Sequence, residues 1–335
     1  MKSLKRILAE SIAKKAINEI KDSPERKSRN LVDLALNLAE GQYFRDFLLK
    51  VQKILQDENT PYYRMVIDAM NHINTDRILT FGMNIGYNSV TVGSPKIRAI
   101  EQEENFDIPW SMYLDAKKFN PSLFKSYSKL FSEAVELGIY SWHISADENL
   151  FNLLKLLKEH EDCAFVLFVD PDLINDELIR KAENINNLMF AVKYKEGAED
   201  ACRLLRSNMM LYSVYYSYTD NDEDIITSDE FILSIENLRP LFTIFTPNAN
   251  CNIKTVDKIY SYVKETRLNQ KFITIPWDAL NDTRYIDGKI SENICSAGVN
   301  AEGLLFRLKD NYSCTDLKVF EIPLHEALKK ALPKS

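Results

Sequence analysis

Cysteine is scarce in this 335-residue chain and never paired: Cys163, Cys202, Cys251, Cys295 and Cys314 are odd in number, scattered, and include no Cys-x-x-Cys. That excludes a disulfide framework and fits a reducing compartment, so a cytoplasmic protein is expected. Long apolar runs are missing as well. The opening stretch MKSLKRILAESIAKKAINEI breaks its apolar positions with charges every few residues. It therefore lacks the continuous core of a signal peptide, and no membrane span is expected. Positive charge is not in excess. With 42 Lys and Arg against 49 Asp and Glu the formal net charge is −7, so no nucleic-acid partner is expected. Glycine-rich loops are also lacking. Gly82-Met-Asn-Ile-Gly86 has two glycines but neither the preceding strand nor the further glycine of a phosphate loop, and reads as a turn. Asp220-Asn-Asp-Glu-Asp224 lacks the glycine and terminal glutamate of a calcium loop and reads as a solvated turn.

What is present is enough apolar residue, 45% of the chain, to bury a large core in one main domain with smaller parts attached. Near the start, Leu4, Ile7, Leu8, Ser11 and Ile12 form an apolar stripe beside Lys2, Lys5, Arg6, Lys14 and Lys15. A membrane-surface helix has this pattern, but so does any helix docked on protein, and docking by this stripe is the favoured reading. Helical spacing continues through Asn30–Glu40 and Tyr43–Gln56, with breaks at Asp22-Ser-Pro24 and Asn59-Thr-Pro61. From Ile108 onward short apolar runs alternate with amphipathic stretches: IPWSMYL, PSLFKSYSKLFSEAVEL, GIYSWHIS, NLFNLLKLLKEH, CAFVLFV, LINDELIRKAENI, LMFAVKY. This tempo implies parallel strands joined by crossover helices, about six βα units in all, too few for a closed eight-stranded barrel. The expected fold is α/β: a partial (β/α)6 TIM-like barrel over 76–270, an N-terminal helical domain over 1–75 and a small C-terminal α+β appendage over 271–335.

Three stretches in order carry a family resemblance: ELGIYSWHISADENL, LKEHEDCAFVLFVDPDLINDELIRK and YTDNDEDIITSDEFI. They resemble the core of radical S-adenosylmethionine (SAM) proteins, where a GIY strand, an SGGEP motif, a strand opening KHxDC, a TNG strand end and a TSDEF helix start follow one another. The likeness extends upstream through LALNLAEGQYFRD, NTPYYRMVIDAM and NFDIPWSMYLD and downstream to the cysteine-bearing tail. It covers about Asn30 to Leu332.

The resemblance implies a [4Fe–4S] cluster held by CxxxCxxC after the first strand. Here Trp110–Asp115 runs into AKKFNPSLF instead. Ala116, Lys117 and Lys118 cannot replace thiolates, because an ammonium is repelled by iron rather than bound to it. A [4Fe–4S] cluster and radical chemistry are therefore not expected, and Cys163 reads as a buried apolar residue. The implied SGGEP becomes Ser145-Ala-Asp-Glu148-Asn, which keeps the serine and glutamate and loses both glycines. TNG becomes Val169-Asp170-Pro171, and the serine of the next strand becomes Lys193. Ser145, Glu148, Asp170 and Lys193, with Asp147 and Asp172, thus outline a degenerate SAM pocket at the carboxyl ends of the strands. Cys295 and Cys314, spaced Cys-x18-Cys, match the family's SPASM or twitch-type appendage and are remnant metal candidates, with His325 the nearest third ligand. Metal-free cysteines are the favoured reading, and no bound cofactor is expected; SAM is kept as the alternative. Tyr212, Tyr215, Tyr216 and Tyr218 read as core and rim packing, with stacking of a planar ligand as the competing account. His143 reads as a satisfied core or rim histidine.

The expected function is that of a degenerate radical-SAM-like protein acting as a binding, scaffold or regulatory protein, with catalysis left open. The alternatives are a repurposed barrel that binds or transforms a small molecule, and SAM or iron–sulfur binding retained through non-standard ligands. A protein partner, or a small molecule at the barrel mouth, is the expected partner.

Overall fold

The computed structural model describes residues 4–334 apart from 21, 39–41 and 309–311; Lys2 and residues 39–41 of LALNLAEGQYFRD lie outside the described residues. Helices come first: α1 (Leu4–Glu19), α2 (Pro24–Leu38), α3 (Gln42–Ile54), α4 (Pro61–His72), α5 (Thr75–Met83), a π-helical segment Asn84–Gly93, and α6 (Ser94–Glu104). Strands and helices then alternate: β1 (Ser111–Asp115), α7 (Phe124–Leu137), β2 (Ser141–Ser145), α8 (Leu150–Glu159), β3 (Ala164–Val169), α9 (Asp176–Ala182), β4 (Leu188–Lys193) and α10 (Ala198–Ser207). Next are β5 (Tyr212–Tyr218), α11 (Glu223–Ile226), α12 (Asp229–Glu236), β6 (Phe242–Pro247) and α13 (Ile253–Leu268). The chain closes with β7 (Ile275–Asp278), α14 (Asn281–Ile290), β8 (Ala297–Val299), β9 (Leu304–Arg307), β10 (Ser313–Lys318) and α15 (Leu324–Ala331).

The six expected βα units, β1 to α13, lie side by side in one sheet of order β10-β9-β8-β1-β2-β3-β4-β5-β6-β7. Neighbours from β8 through β7 pair in parallel, while β9 and β10 add an antiparallel flap beyond β8. β7 and β8, both from 271–335, extend the sheet at opposite ends. They do not pair with each other among the described residues. Helix α14 sits at that gap, where Asp287 accepts from the Trp110 backbone N–H at 3.1 Å and the Tyr113 hydroxyl of β1 donates to Ala279 O at 2.6 Å. The result is an open α/β barrel sealed on one side by a helix.

Parallel strands buried on both faces read as unbroken apolar runs, and β3, AFVLFV, shows why. Phe165, Leu167 and Val169 face outward into a core shared with Leu130, Leu154 and Leu178, whereas Val166 and Phe168 face the barrel interior. Each aromatic or aliphatic side chain so buried contributes about 1.5–3 kcal/mol before entropy is subtracted.

The interior is covered by the N-terminal helices. Ala9, Ile17 and Ile20 with Ala69, Met70, Leu79 and Met83 pack against Val166, Met189, Leu211 and Ile244. Polar contacts hold these helices to the loops at the amino ends of the strands. Arg77, almost fully buried, donates to Ile185 O, Ala182 O and Glu183 O, and Asn84 donates to Glu161 O and Cys163 O. Asn88 reaches Asp162 O, and Arg6 reaches the Asp162 carboxylate at 2.5 Å.

Two expectations are corrected. The stripe Leu4, Ile7, Leu8, Ser11, Ile12 is not the docked face of α1; all five are exposed. The opposite stripe docks, because small Ala9 and Ala13 allow close approach while Arg6 finds Asp162 and Asn84. Gly82–Gly86 is not a turn either. α5 runs straight into the π-helical segment there, and a Cβ at Gly82 or Gly86 would meet nothing within 4 Å. The widened register shows in Ser94, whose N–H and hydroxyl both turn to Ser89 O, five residues back.

One close approach does require glycine. A Cβ on Gly93 would lie 2.3 Å from Gly138 O, and Gly138, which ends α7, has φ +95°. Gly93→Ala is expected to destabilise the fold by about 1–3 kcal/mol through backbone overpacking, with Gly86→Ala near neutral as control. Thermal melts of the two variants check this.

Candidate functional site

The carboxyl ends of the strands form one rim. After β1, residues 116–120 make a short connection bonded to the end of β2 and the turn that follows it. Ala116 N–H donates to Ser145 O at 2.8 Å, Glu148 N–H to Lys117 O at 3.1 Å, and the Asn149 side-chain amide to Phe119 O at 2.9 Å. Ala116 and Phe119 are buried, Phe119 stacking on Tyr127 at 4.7 Å. Asn149 takes φ +54°, a left-handed conformation that asparagine tolerates better than most residues. These bonds latch the first two strand ends together.

Ser145 ends β2 and Lys193 ends β4; Asp170 follows β3, and Glu148 stands exposed in the latched turn. The structure brings Asp170 and Lys193 together at 3.8 Å and adds Lys195, which lies 3.1 Å from Asp170 and 3.0 Å from exposed Asp172. Those two carboxylates hold the Lys195 ammonium above its ordinary range. The Ser145 hydroxyl and Glu148 carboxylate join no hydrogen bond or ion pair among the described residues. The sequence reading missed Lys195, which departs from no motif and has significance only in this geometry.

Below the rim, half-buried side chains line the interior. Tyr113 of β1 meets His143 of β2 edge-on at 5.0 Å, His143 meets Phe168 of β3 at 6.0 Å, and Phe168 meets Tyr215 of β5 at 5.1 Å. Period-two alternation marks these inward positions, since Met112, Leu114, Trp142 and Ile144 point into the outer core. Of the four tyrosines on β5 only Tyr215 faces inward. Tyr212 packs in the outer core, and Tyr216 and Tyr218 pack toward α11, α12 and α13. His143 faces inward but is not satisfied: its Nδ1 is buried without a partner, and desolvation pushes its pKa down to about 4.

The cysteines do not gather. Cys295 is fully buried ahead of β8, its thiol pushed far up by burial, whereas Cys314 is exposed on β10. Two strand spacings, about 10 Å, separate their strands. His325 instead pairs with Glu104 at 2.9 Å and packs edge-on against Phe106. Buried Cys163 opens β3, three strands from β8, and burial raises its thiol pKa. Among the described residues no group of three His, Cys, Asp or Glu could hold a metal ion. The donor set present, Asp115 and two lysines after β1 with thiols dispersed elsewhere, does not fit a thiolate-held iron–sulfur cluster.

Two hollows lie outside the barrel axis. One of about 20 Å³, at the amino ends of β5 to β7, is lined by Asp68, His72, Arg206, Tyr212 and Arg239. The other, an open groove of about 270 Å³ on the rim, runs between Asp147, Asn149, Phe151, Asp172 and Leu178.

No family model matches the sequence, and no curated protein does. Among solved structures, Streptococcus suis SuiB bound to S-adenosylmethionine aligns with a TM-score of 0.51 at 10% identity, over 70% of this chain and 67% of that one. A further structure of Streptococcus suis SuiB aligns at 0.49 and 8% identity, over 90% and 81%, and native anSMEcpe with bound AdoMet at 0.42 and 10%, over 66% and 80%. At such identities the first alignment establishes likeness of fold alone, and that fold is the open α/β barrel described above.

Buried titratable groups make stability depend on pH with opposing signs. Neutral His143 contributes stability that is lost as pH falls from about 6.5 toward 4, because the unfolded chain takes up the proton first. Asp278 and Asp287, each pushed up to about 7 chiefly by desolvation, keep protons that unfolded carboxylates release, so their contribution is lost as pH rises through 7. Asp278→Asn should therefore be more favourable at about pH 8 than at about pH 5, by roughly 2 kcal/mol relative to the parent. Urea unfolding at the two pH values measures it.

Proposed function

We propose that this chain is a radical-SAM-like protein that has given up reductive cleavage of SAM and serves as a binding, scaffold or regulatory protein. The observation that supports this most is the latch after β1. Where the family resemblance implies a cysteine loop, residues 116–120 carry no thiolate, and they are tied by three hydrogen bonds, one to the last residue of β2 and two to the turn after it. The interior ladder Tyr113, His143, Phe168, Tyr215 supports the same reading, since these touching rings line the space beneath the rim. Exposed Asp147, Glu148 and Asp172 present an acidic edge to a protein partner.

A second reading, a small-molecule site at the mouth, rests on the Asp170–Lys193–Lys195 cluster. In it Ser145 and Glu148 are the remaining polar contacts, and SAM is the ligand to test first, given the likeness to SuiB.

The test is an anaerobic preparation assayed for iron and sulfide, with an absorption spectrum and a calorimetric titration with SAM on the same sample. The expected result is a colourless protein that releases no heat with SAM. Heat without iron, abolished in Lys193→Ala, would favour the second reading, and stoichiometric iron with SAM cleavage would overturn both.

A further inference from the structure

Helix α1 is apolar on two faces, and only one is covered. Ala9, Ile17 and Ile20 lie in the core shared with α5 and the barrel. Leu4 is 83% exposed, Leu8 61%, Ile7 51% and Ile12 42%. An apolar stripe this continuous on a chain with charge −7 calls for an occupant.

Charge distinguishes the candidates. Successive residues turn by about 100°, so Leu4, Ile7, Leu8, Ser11 and Ile12 share an arc of about 140°, with Lys5 just beyond one border and Lys14 just beyond the other. Lys15 closes the stripe at its carboxyl end, and the two acidic residues of α1, Glu10 and Glu19, are half-buried, Glu19 in an ion pair with Lys27. A second copy is disfavoured, because antiparallel pairing centred between Leu8 and Ser11 would set Lys5 of one chain against Lys14 of the other. A groove that grips a helix must straddle it, yet here one side is already taken by α2 and α5. A planar, negatively charged surface satisfies the apolar arc, the bordering cations and the one-sided access together.

We infer that the exposed face of α1 docks on an anionic lipid surface, a property that goes beyond the functional reading above and does not depend on it. Among the described residues no helix is long and apolar enough to cross a membrane. The association is therefore peripheral, with the stripe in the acyl boundary and the lysines at the headgroups.

The experiment is cosedimentation of the full chain with vesicles of phosphatidylcholine alone and of phosphatidylcholine mixed with phosphatidylserine. Binding is expected to the mixed vesicles only, and to weaken with salt. Lys5→Gln and Lys15→Gln should each weaken it about five-fold, and Leu8→Glu should abolish it. Circular dichroism melts should be unchanged, since all three side chains are exposed. Absence of binding, equal binding to both vesicle types, or full binding by Leu8→Glu would overturn the inference. So would a dimer in sedimentation velocity that Leu8→Glu dissociates, or tighter binding of α1 to polyglutamate than to the mixed vesicles.

Discussion

An open parallel barrel has an apolar inner face, and covering that face is the constraint on which the rest of this structure depends. A closed eight-stranded barrel fills its interior with its own side chains. Here β7 and β8 stay apart, so the inner surface must be covered by other elements. Helix α14 takes the gap and the N-terminal helices take the floor. Arg77 shows how firmly. A buried guanidinium is costly unless its N–H groups are met, and three carbonyls at the end of α9 meet them. Once the floor is fixed in this way, the barrel interior faces outward at the carboxyl ends of the strands.

The same constraint shapes the rim. The Tyr113 to Tyr215 ladder lines the interior, and above it the connections after β1 and β2 bond to one another. Charge then gathers where desolvation is least. Asp170, Asp172, Lys193 and Lys195 pair in partly exposed positions, where an ion pair is worth little for stability but sets the sign of the local field. The buried acids Asp278 and Asp287 lie by α14 instead, Asp278 among the Leu280 and Asn281 backbone N–H groups and the Asn281 amide, Asp287 between the Trp110 backbone N–H and the Ser296 hydroxyl.

Much of this was legible in the residues. Strand β3 announces itself as an unbroken apolar run between helices, and the order β1 to β6 follows from the tempo of such runs. The face on which α1 docks was not legible. Two apolar stripes on one helix leave periodicity without a preferred direction, and Ala9 and Ala13 give a weaker signal than Leu4 and Leu8 although they permit the closer contact. Tyr215 could be separated from its neighbours only by strand parity, which depends on where β5 begins. The dispersal of Cys295 and Cys314 was hidden for another reason. Their spacing matches a paired motif, but β9 runs between their strands. Lys195 gains meaning only from Asp170 and Asp172, which lie more than twenty residues away in sequence.

The floor also has a consequence for how the chain is made. Helix α1 precedes the barrel in the chain, yet Arg6 waits for Asp162, and the loop after α4 waits for Met209, whose carbonyl accepts from Asn74 N–H. The earliest helices are thus completed by the middle of the chain, and the α14 seal, joined to α6 through Arg98 and Ile290 O, comes later still. Contacts so distant in sequence make for slow closure, and during synthesis both apolar stripes of α1 stand uncovered. A nascent chain halted before Asp162 would have α1 without its principal polar anchor, the stage at which a chaperone has most to hold.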